Sequence, residues 1–343
     1  VKPALYTSCI DLISPVGLTP ESASAAMRAG IDAFAEMPHA DNSGEPIVGA
    51  TVPGLAAGLR GRERILALLS LALDGLPARL PRGLEIGEMP LLFCTREAHR
   101  ARPDLSGLVT QAASSAGIQF RRDDARHFAG GNVAAFEALT HAWQLIADDK
   151  AAACLIVTVD SWVDPRSLEL LDREGRLKKA GNPDGVIPGE AACLTLVSAQ
   201  RIRPTALRVL GLGFGTETAT VLNEEPLLGK GMAAAVRGAL EQAMVPMHEI
   251  AFRLSDLAGE AYAFEELVLA QVRTIRQTRP HQHVLHPAGY TGDCGAANGP
   301  IQWAWAEQAM HKRYADGPLA LAHASAPDGA RAAAALADGD MEF

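Results

Sequence analysis

At 343 residues with 48% hydrophobic content, the chain is long enough to bury a substantial core as one large domain or two intimate ones. Its net charge of −9 argues against a broad nucleic-acid surface, leaving the short basic clusters at 60–64 and 201–208 as solvated faces or docking points for something acidic. The longest apolar runs, 65–73 and 154–159, are too short for a membrane span of roughly 20 residues, and no basic segment leads into an apolar one at the N-terminus, so a soluble cytoplasmic protein is expected.

Strand-like and helix-like segments alternate along the chain, which argues α/β layers. The pattern predicts a strand at 4–13, a helix at 20–29 with Thr19 as its cap, an apolar helix at 62–76, a strand at 89–94 and a helix at 105–116. A helix led by Gly130-Gly131-Asn132 follows at 132–146, then a strand at 153–159. Residues 164–188 are polar and rich in charge, Gly and Pro, and read as a surface excursion before a buried strand that begins at Glu190. From about 205 the order returns: strand 206–214, helix 231–243, strand 249–254, helix 264–276, a second glycine-led helix at 296–310 and strand 319–324. This echo at a spacing of about 165 residues predicts two similar halves, 1–200 and 201–343, packed against each other.

Four of the five cysteines (9, 94, 154 and 193) lie in apolar strand-like stretches and read as small hydrophobes, with neither CxxC pairing nor disulfide density. Cys294 alone has a polar, glycine-rich setting at a helix start, but its neighbour Asp293 would raise the thiol pKa and oppose activation. His281, His283 and His286 form a close series without a third ligand at zinc spacing, so no metal is expected, and a polar strand end is the plainer reading. His286 and His127 remain candidate acids or donors because each precedes a glycine segment. The run Gly211-Leu212-Gly213-Phe214-Gly215 lacks a following helix for about fifteen residues, so it reads as a glycine-bearing strand end rather than a phosphate loop.

Taken in order, several motifs resemble the thiolase superfamily and, within it, the β-ketoacyl synthases (3-oxoacyl-acyl-carrier-protein synthases) of fatty-acid and polyketide biosynthesis. Ile13-Ser14-Pro15-Val16-Gly17 and the helix ending in Arg28-Ala29-Gly30 are similar to that family's opening strand and first helix. Asp184-Gly185-Val186-Ile187-Pro188-Gly189-Glu190-Ala191 resembles its Asp-Gly and Gly-Glu-Gly-Ala element, and the run from Gly292 to Gly299 resembles its glycine-histidine motif. The resemblance implies a thiolase-like α/β fold of two pseudo-symmetric, mixed five-stranded halves in αβαβα layers, normally in a homodimer.

The resemblance also implies a cysteine nucleophile at the start of a buried helix and two histidines that donate hydrogen bonds to a thioester oxygen. The nucleophile position falls at or near Asn132, and residues 125–136 contain no Cys, Ser or Thr. Asp256 and Asp293 fall at the two histidine positions. An asparagine amide is not nucleophilic, and its plain role is a helix cap or turn after two glycines. An ionised carboxylate cannot donate a hydrogen bond and would raise the energy of an adjacent oxyanion, although two aspartates in one pocket can share a proton or hold a cation.

Three functions therefore compete. The first is a β-ketoacyl synthase-like pseudoenzyme, an acyl- or partner-binding subunit similar to a chain-length factor, pairing as a homodimer or as a heterodimer with a catalytic synthase and meeting acyl carrier protein or acyl-CoA. The second is an active acyltransferase whose relocated groups come from Asp293, Asp256, Cys294 or His286; the third is a purely structural interaction module. No cofactor is expected in any of the three.

Overall fold

The computed structural model describes residues 3–56, 58–97, 100, 105, 107–277, 279 and 281–341. Its strands, in chain order, are β1 (Leu5–Ile13), β2 (Phe34–Ala40), β3 (Pro46–Ala50), β4 (Pro90–Cys94), β5 (Arg121–Phe128), β6 (Ala153–Ser161), β7 (Glu190–Ser198), β8 (Leu207–Thr216), β9 (Phe252–Ser255), β10 (Val284–Leu285), β11 (Leu319–Ser325) and β12 (Ala330–Asp338). Ten of these form one mixed sheet in the order β10-β9-β11-β12-β8-β1-β7-β6-β4-β5, while β2 and β3 pair separately as a hairpin. Read outward from the middle, the two wings are β1-β7-β6-β4-β5 and β8-β12-β11-β9-β10, so the same strand order appears on either side of the β1/β8 seam. At that seam the wings join by antiparallel pairing of Leu5, Tyr6 and Thr7 with Val209, Arg208 and Leu207. The halves thus share backbone pairing as well as side-chain packing.

Away from the exposed edge strand β5, both faces of the sheet are covered, and strand residues divide between them with period two. In β6, Cys154 and Ile156 face the interior between the wings, whereas Leu155 and Val157 face an outer layer that holds the helices Gly61–Leu73 and Leu108–Ser115. In β12, Ala332 and Ala334 face that interior and Ala333 and Ala335 face the helix Lys230–Ala243. Two central helices, Ala134–Ala147 and Asn298–His311, fill the space between the wings and touch through Phe136 and Trp303, whose ring centroids are 5.2 Å apart. The second helix is buried on every side from Asn298 to Met310, as the middle of five layers requires.

The glycine run in β8 has a packing role. A Cβ at Gly211, Gly213 or Gly215 would lie 2.0 to 2.2 Å from a backbone oxygen of the helix Lys230–Ala243. Alternate glycines therefore let this helix lie directly on the strand.

Residues 164–188 depart from the expected surface excursion. They contain the helix Pro165–Arg173, capped by Asp164, and their apolar residues Leu168, Leu171, Leu177 and Val186 pack with Trp162, Val163, Met37 and Ile47 in a separate small core. The β2/β3 hairpin, β5 and β12 lie outside the strands expected from sequence. The strand expected at 249–254 is shorter, with a turn of 3-10 helix at Met247–Glu249 ahead of β9. The helix expected at 105–116 spans Leu108–Ser115, and Ser106 lies outside the described residues.

Candidate active-site cleft

Both glycine-led segments adopt one backbone design. Gly131 (φ 56°) and Gly295 (φ 52°) each sit in the left-handed region and open a short 3-10 turn that runs into a central helix. The residue before each glycine is also similar, at φ −109° for Gly130 and −101° for Cys294. A side chain would fail at either glycine for a second reason: a Cβ would lie 2.1 Å from Glu97 Oε1 at Gly131 and 2.0 Å from Asp160 Oδ2 at Gly295. Each turn is seated on a buried carboxylate.

The turns and the C-terminal ends of the adjacent parallel strands β9 and β11 meet at a cleft, the usual place for a ligand in an α/β sheet. Asn132, Asp256 and Asp293 all line it. Asn132 donates from Nδ2 to Asp256 Oδ2 at 2.8 Å, and the Ser325 backbone N–H donates to the same oxygen at 2.7 Å. Removal from water pushes the Asp256 carboxyl up to about 7, against the lowering effect of those two hydrogen bonds and of Arg331, with Asp293 adding a smaller push upward. Near neutral pH this group is divided between acid and carboxylate, so it can both donate and accept a proton.

Asp293 is buried and tightly held. Its Oδ1 accepts from Gly295 N at 2.9 Å and from Asn298 Nδ2 at 2.8 Å. Its backbone pairs with the segment before β7, Asp293 N donating to Ile187 O and Gly189 N to Asp293 O. Gly189 is required there because a Cβ would lie 2.2 Å from Thr291 O. Burial raises the Asp293 carboxyl above its ordinary range, with Gly295, Asn298, Arg176 and Arg100 pulling it back.

Around these three stands a polar wall contributed by residues that sequence reasoning missed. Arg176 makes a bidentate pair with Glu260 at 2.8 and 2.9 Å, and Arg331 donates to Glu266 at 2.7 Å and to the Tyr262 hydroxyl at 2.8 Å. Arg331 could have been found as the lone cation inside the apolar run of β12. Arg176 had no such signal, lying in a segment already dense in charge. The cleft itself measures about 40 Å³, space on the scale of a few water molecules.

The other candidates do not line the cleft. Cys294 is fully buried, its thiol lies 3.6 Å from the Thr291 and Gly292 carbonyl oxygens, and burial pushes its pKa well up. His286 is half-buried beside Gly289. His127 is exposed on β5, stacked on Phe93 with its Nε2 2.8 Å from the Thr95 hydroxyl, and His283 is an exposed partner of Asp316 at 2.6 Å. Among the described residues no group of three His, Cys, Asp or Glu side chains is arranged to hold a metal ion, and no helix is long and apolar enough to cross a membrane.

No protein-family model matches the chain, and no curated protein matches it. Solved structures do. The ishigamide ketosynthase/chain length factor superposes with a TM-score of 0.77 at 18% identity, over 98% of this chain and 99% of that one. A type II polyketide-synthase acyl-carrier protein in complex with its hexaketide-bound ketosynthase, AntDE:AntF, gives 0.80 at 13% over 98% and 100%. The ketosynthase ApeO with its chain length factor ApeC, from Xenorhabdus doucetiae, gives 0.77 at 14% over 98% of each chain. The fold is that of the thiolase-like ketosynthases. Within this ketosynthase fold the two glycine-led turns are the starts of the two central helices, and the cleft opens beside them.

Proposed function

We propose that the chain is a non-condensing, ketosynthase-like subunit of the chain-length-factor kind, acting in the cytoplasm as a binding partner in acyl-chain synthesis. Asn132 stands at the position of the condensing nucleophile, with Asp256 and Asp293 at those of the two donor histidines. The observation that carries this reading is the Asn132 amide, committed to the Asp256 carboxylate at the mouth of the first central helix, where a thiolate would have to stand. None of the five cysteines lines the cleft, so no thiol stands in for it there. The small, charged volume of the cleft favours partner binding over holding a long acyl chain. The partners are a catalytic ketosynthase, or a second copy of this chain, and an acyl carrier protein or acyl-CoA; the known structures of ketosynthases with a chain length factor and with a carrier protein support this choice.

Intact-mass analysis after exposure to acyl-CoA and acyl-carrier-protein thioesters tests the reading. No mass increase is expected, and a stable acyl adduct would overturn it. The alternative of an active acyltransferase draws support from one feature, the Asp256 carboxyl poised near neutral pH in the cleft. It predicts thioester turnover that Asp256→Asn abolishes while the fold survives.

A further inference from the structure

A second cavity, of about 360 Å³, lies between Arg96 and Arg100, which follow β4, and the helix Pro165–Arg173. Among the described residues its lining includes four arginines, Arg96, Arg100, Arg166 and Arg173, and two carboxylates, Asp164 and Glu169. The carboxylates balance the cations only in part: Asp164 forms an ion pair with Arg96 at 3.6 Å. Asp164 is occupied as the helix cap, accepting from the backbone N–H groups of Arg166 and Ser167 and from the Ser167 hydroxyl at 2.6 Å, while Glu169 is exposed to water. Arg100 is engaged elsewhere, with Glu97 at 2.9 Å and Asp160 at 3.4 Å, and its guanidinium lies over the Trp162 ring that also borders the central cleft.

Arg96 is the group left with open donors. Its residue is 2% exposed, its Nη1 lies 3.6 Å from Asp164, beyond hydrogen-bond distance, and neither Nε nor Nη2 has a hydrogen-bond partner among the described residues. A desolvated guanidinium with open donors is costly unless an anion completes it, and its planar fork matches the paired oxygens of a tetrahedral oxyanion. Two further arginines line the same space from exposed positions 166 and 173. We propose that this cavity is an oxyanion site that takes a phosphate group, free or as a phosphate ester, with Arg96 as the buried anchor and Arg166 and Arg173 at the rim. The proposal is independent of the reading of the central cleft.

Calorimetric titration of the full chain with inorganic phosphate, at ionic strength held constant with chloride, provides the test. Saturable binding of one phosphate per chain is expected, weakened about tenfold or more by Arg96→Met and by Arg166→Glu, since each removes a charge-assisted contact. Arg96→Met places an apolar side chain of similar length in a buried position, and Arg166→Glu adds an acidic residue to an exposed first helical turn, so at least the second keeps the fold. Coenzyme A distinguishes the two sources: tighter binding than inorganic phosphate, lost in the same variants, assigns the site to a phosphate ester, whereas equal or weaker binding assigns it to the free anion. Absence of binding above the chloride background, or a folded variant that binds phosphate like the parent, overturns the proposal.

Discussion

Replacing Glu190 with alanine would strand a buried cation. Glu190 is fully buried at the start of β7 and accepts four hydrogen bonds: from Arg64 Nε and Nη2, both at 2.6 Å, from Val52 N at 2.8 Å and from the Ser161 hydroxyl at 3.0 Å. It thereby ties the helix Gly61–Leu73, the segment after β3 and the end of β6 to one carboxylate. Removing one partner of a buried ion pair costs about 3 to 5 kcal/mol, chiefly because the other charge is left dry. The orphaned Val52 and Ser161 donors bring the expected loss to at least about 4 kcal/mol, a large part of the roughly 5 to 15 kcal/mol that holds a typical domain. In urea denaturation, with a slope of about 3 kcal/mol per molar, the midpoint should fall by more than about 1 M. If the stranded charge is the cause, adding Arg64→Met to Glu190→Ala should recover the part of the loss owed to the unpaired cation, leaving only the cost of the Val52 and Ser161 donors. A single-variant loss below about 1 kcal/mol, or a double variant no more stable than the single one, would refute the reasoning.

Three further outcomes are expected. Asp256 and Glu307 are both raised to about 7 by burial, so the folded state holds more protons than the unfolded one between about pH 4 and 7. The stability they contribute is complete below about pH 4 and is lost as pH rises through 7; Asp256→Asn should flatten that fall in denaturation midpoints measured across the range, and an unchanged slope would contradict the assignment. Gly213→Val would drive a Cβ to 2.0 Å from Ala235 O and 2.4 Å from Ala239 N, so the helix Lys230–Ala243 must lift from β8 at a cost of about 3 kcal/mol or more, read by the same denaturation. All five cysteines should resist a thiol reagent in the native state and react together in denaturant; rapid labelling of Cys294 in the folded protein would show that its helix start is open.

The elements that sequence made legible are those whose side chains face two different surroundings or none. Strands such as β6 and β7 are apolar throughout because both faces are covered, and the central helices announce themselves by the glycine turns that precede them. β5 was illegible because it is an edge strand paired only with β4, and its exposed Arg-Arg-Asp-Asp run shows no alternation. β12 was illegible for the opposite reason: alanine favours helices, and here the tight space between the central helices and the helix Lys230–Ala243 selects a strand of small residues. Asn132, Asp256 and Asp293 were found because they occupy marked places in an ordered motif series. The arginine pairings around them were not, since Arg176 with Glu260 and Arg331 with Glu266 join positions 84 and 65 residues apart. Only the folded chain makes them neighbours.

The β1/β8 seam carries a mechanical consequence. Because three residue pairs zip the wings into a continuous sheet, neither half can swing away from the other without tearing main-chain hydrogen bonds beside the buried side chains of Leu5, Thr7, Leu207 and Val209. The cleft between the glycine turns is consequently not a hinge. Whatever binds there meets a rigid mouth whose adaptability is confined to side chains, and the amides of Tyr6 and Arg208 should be among the last to exchange with solvent, opening only when the whole chain unfolds.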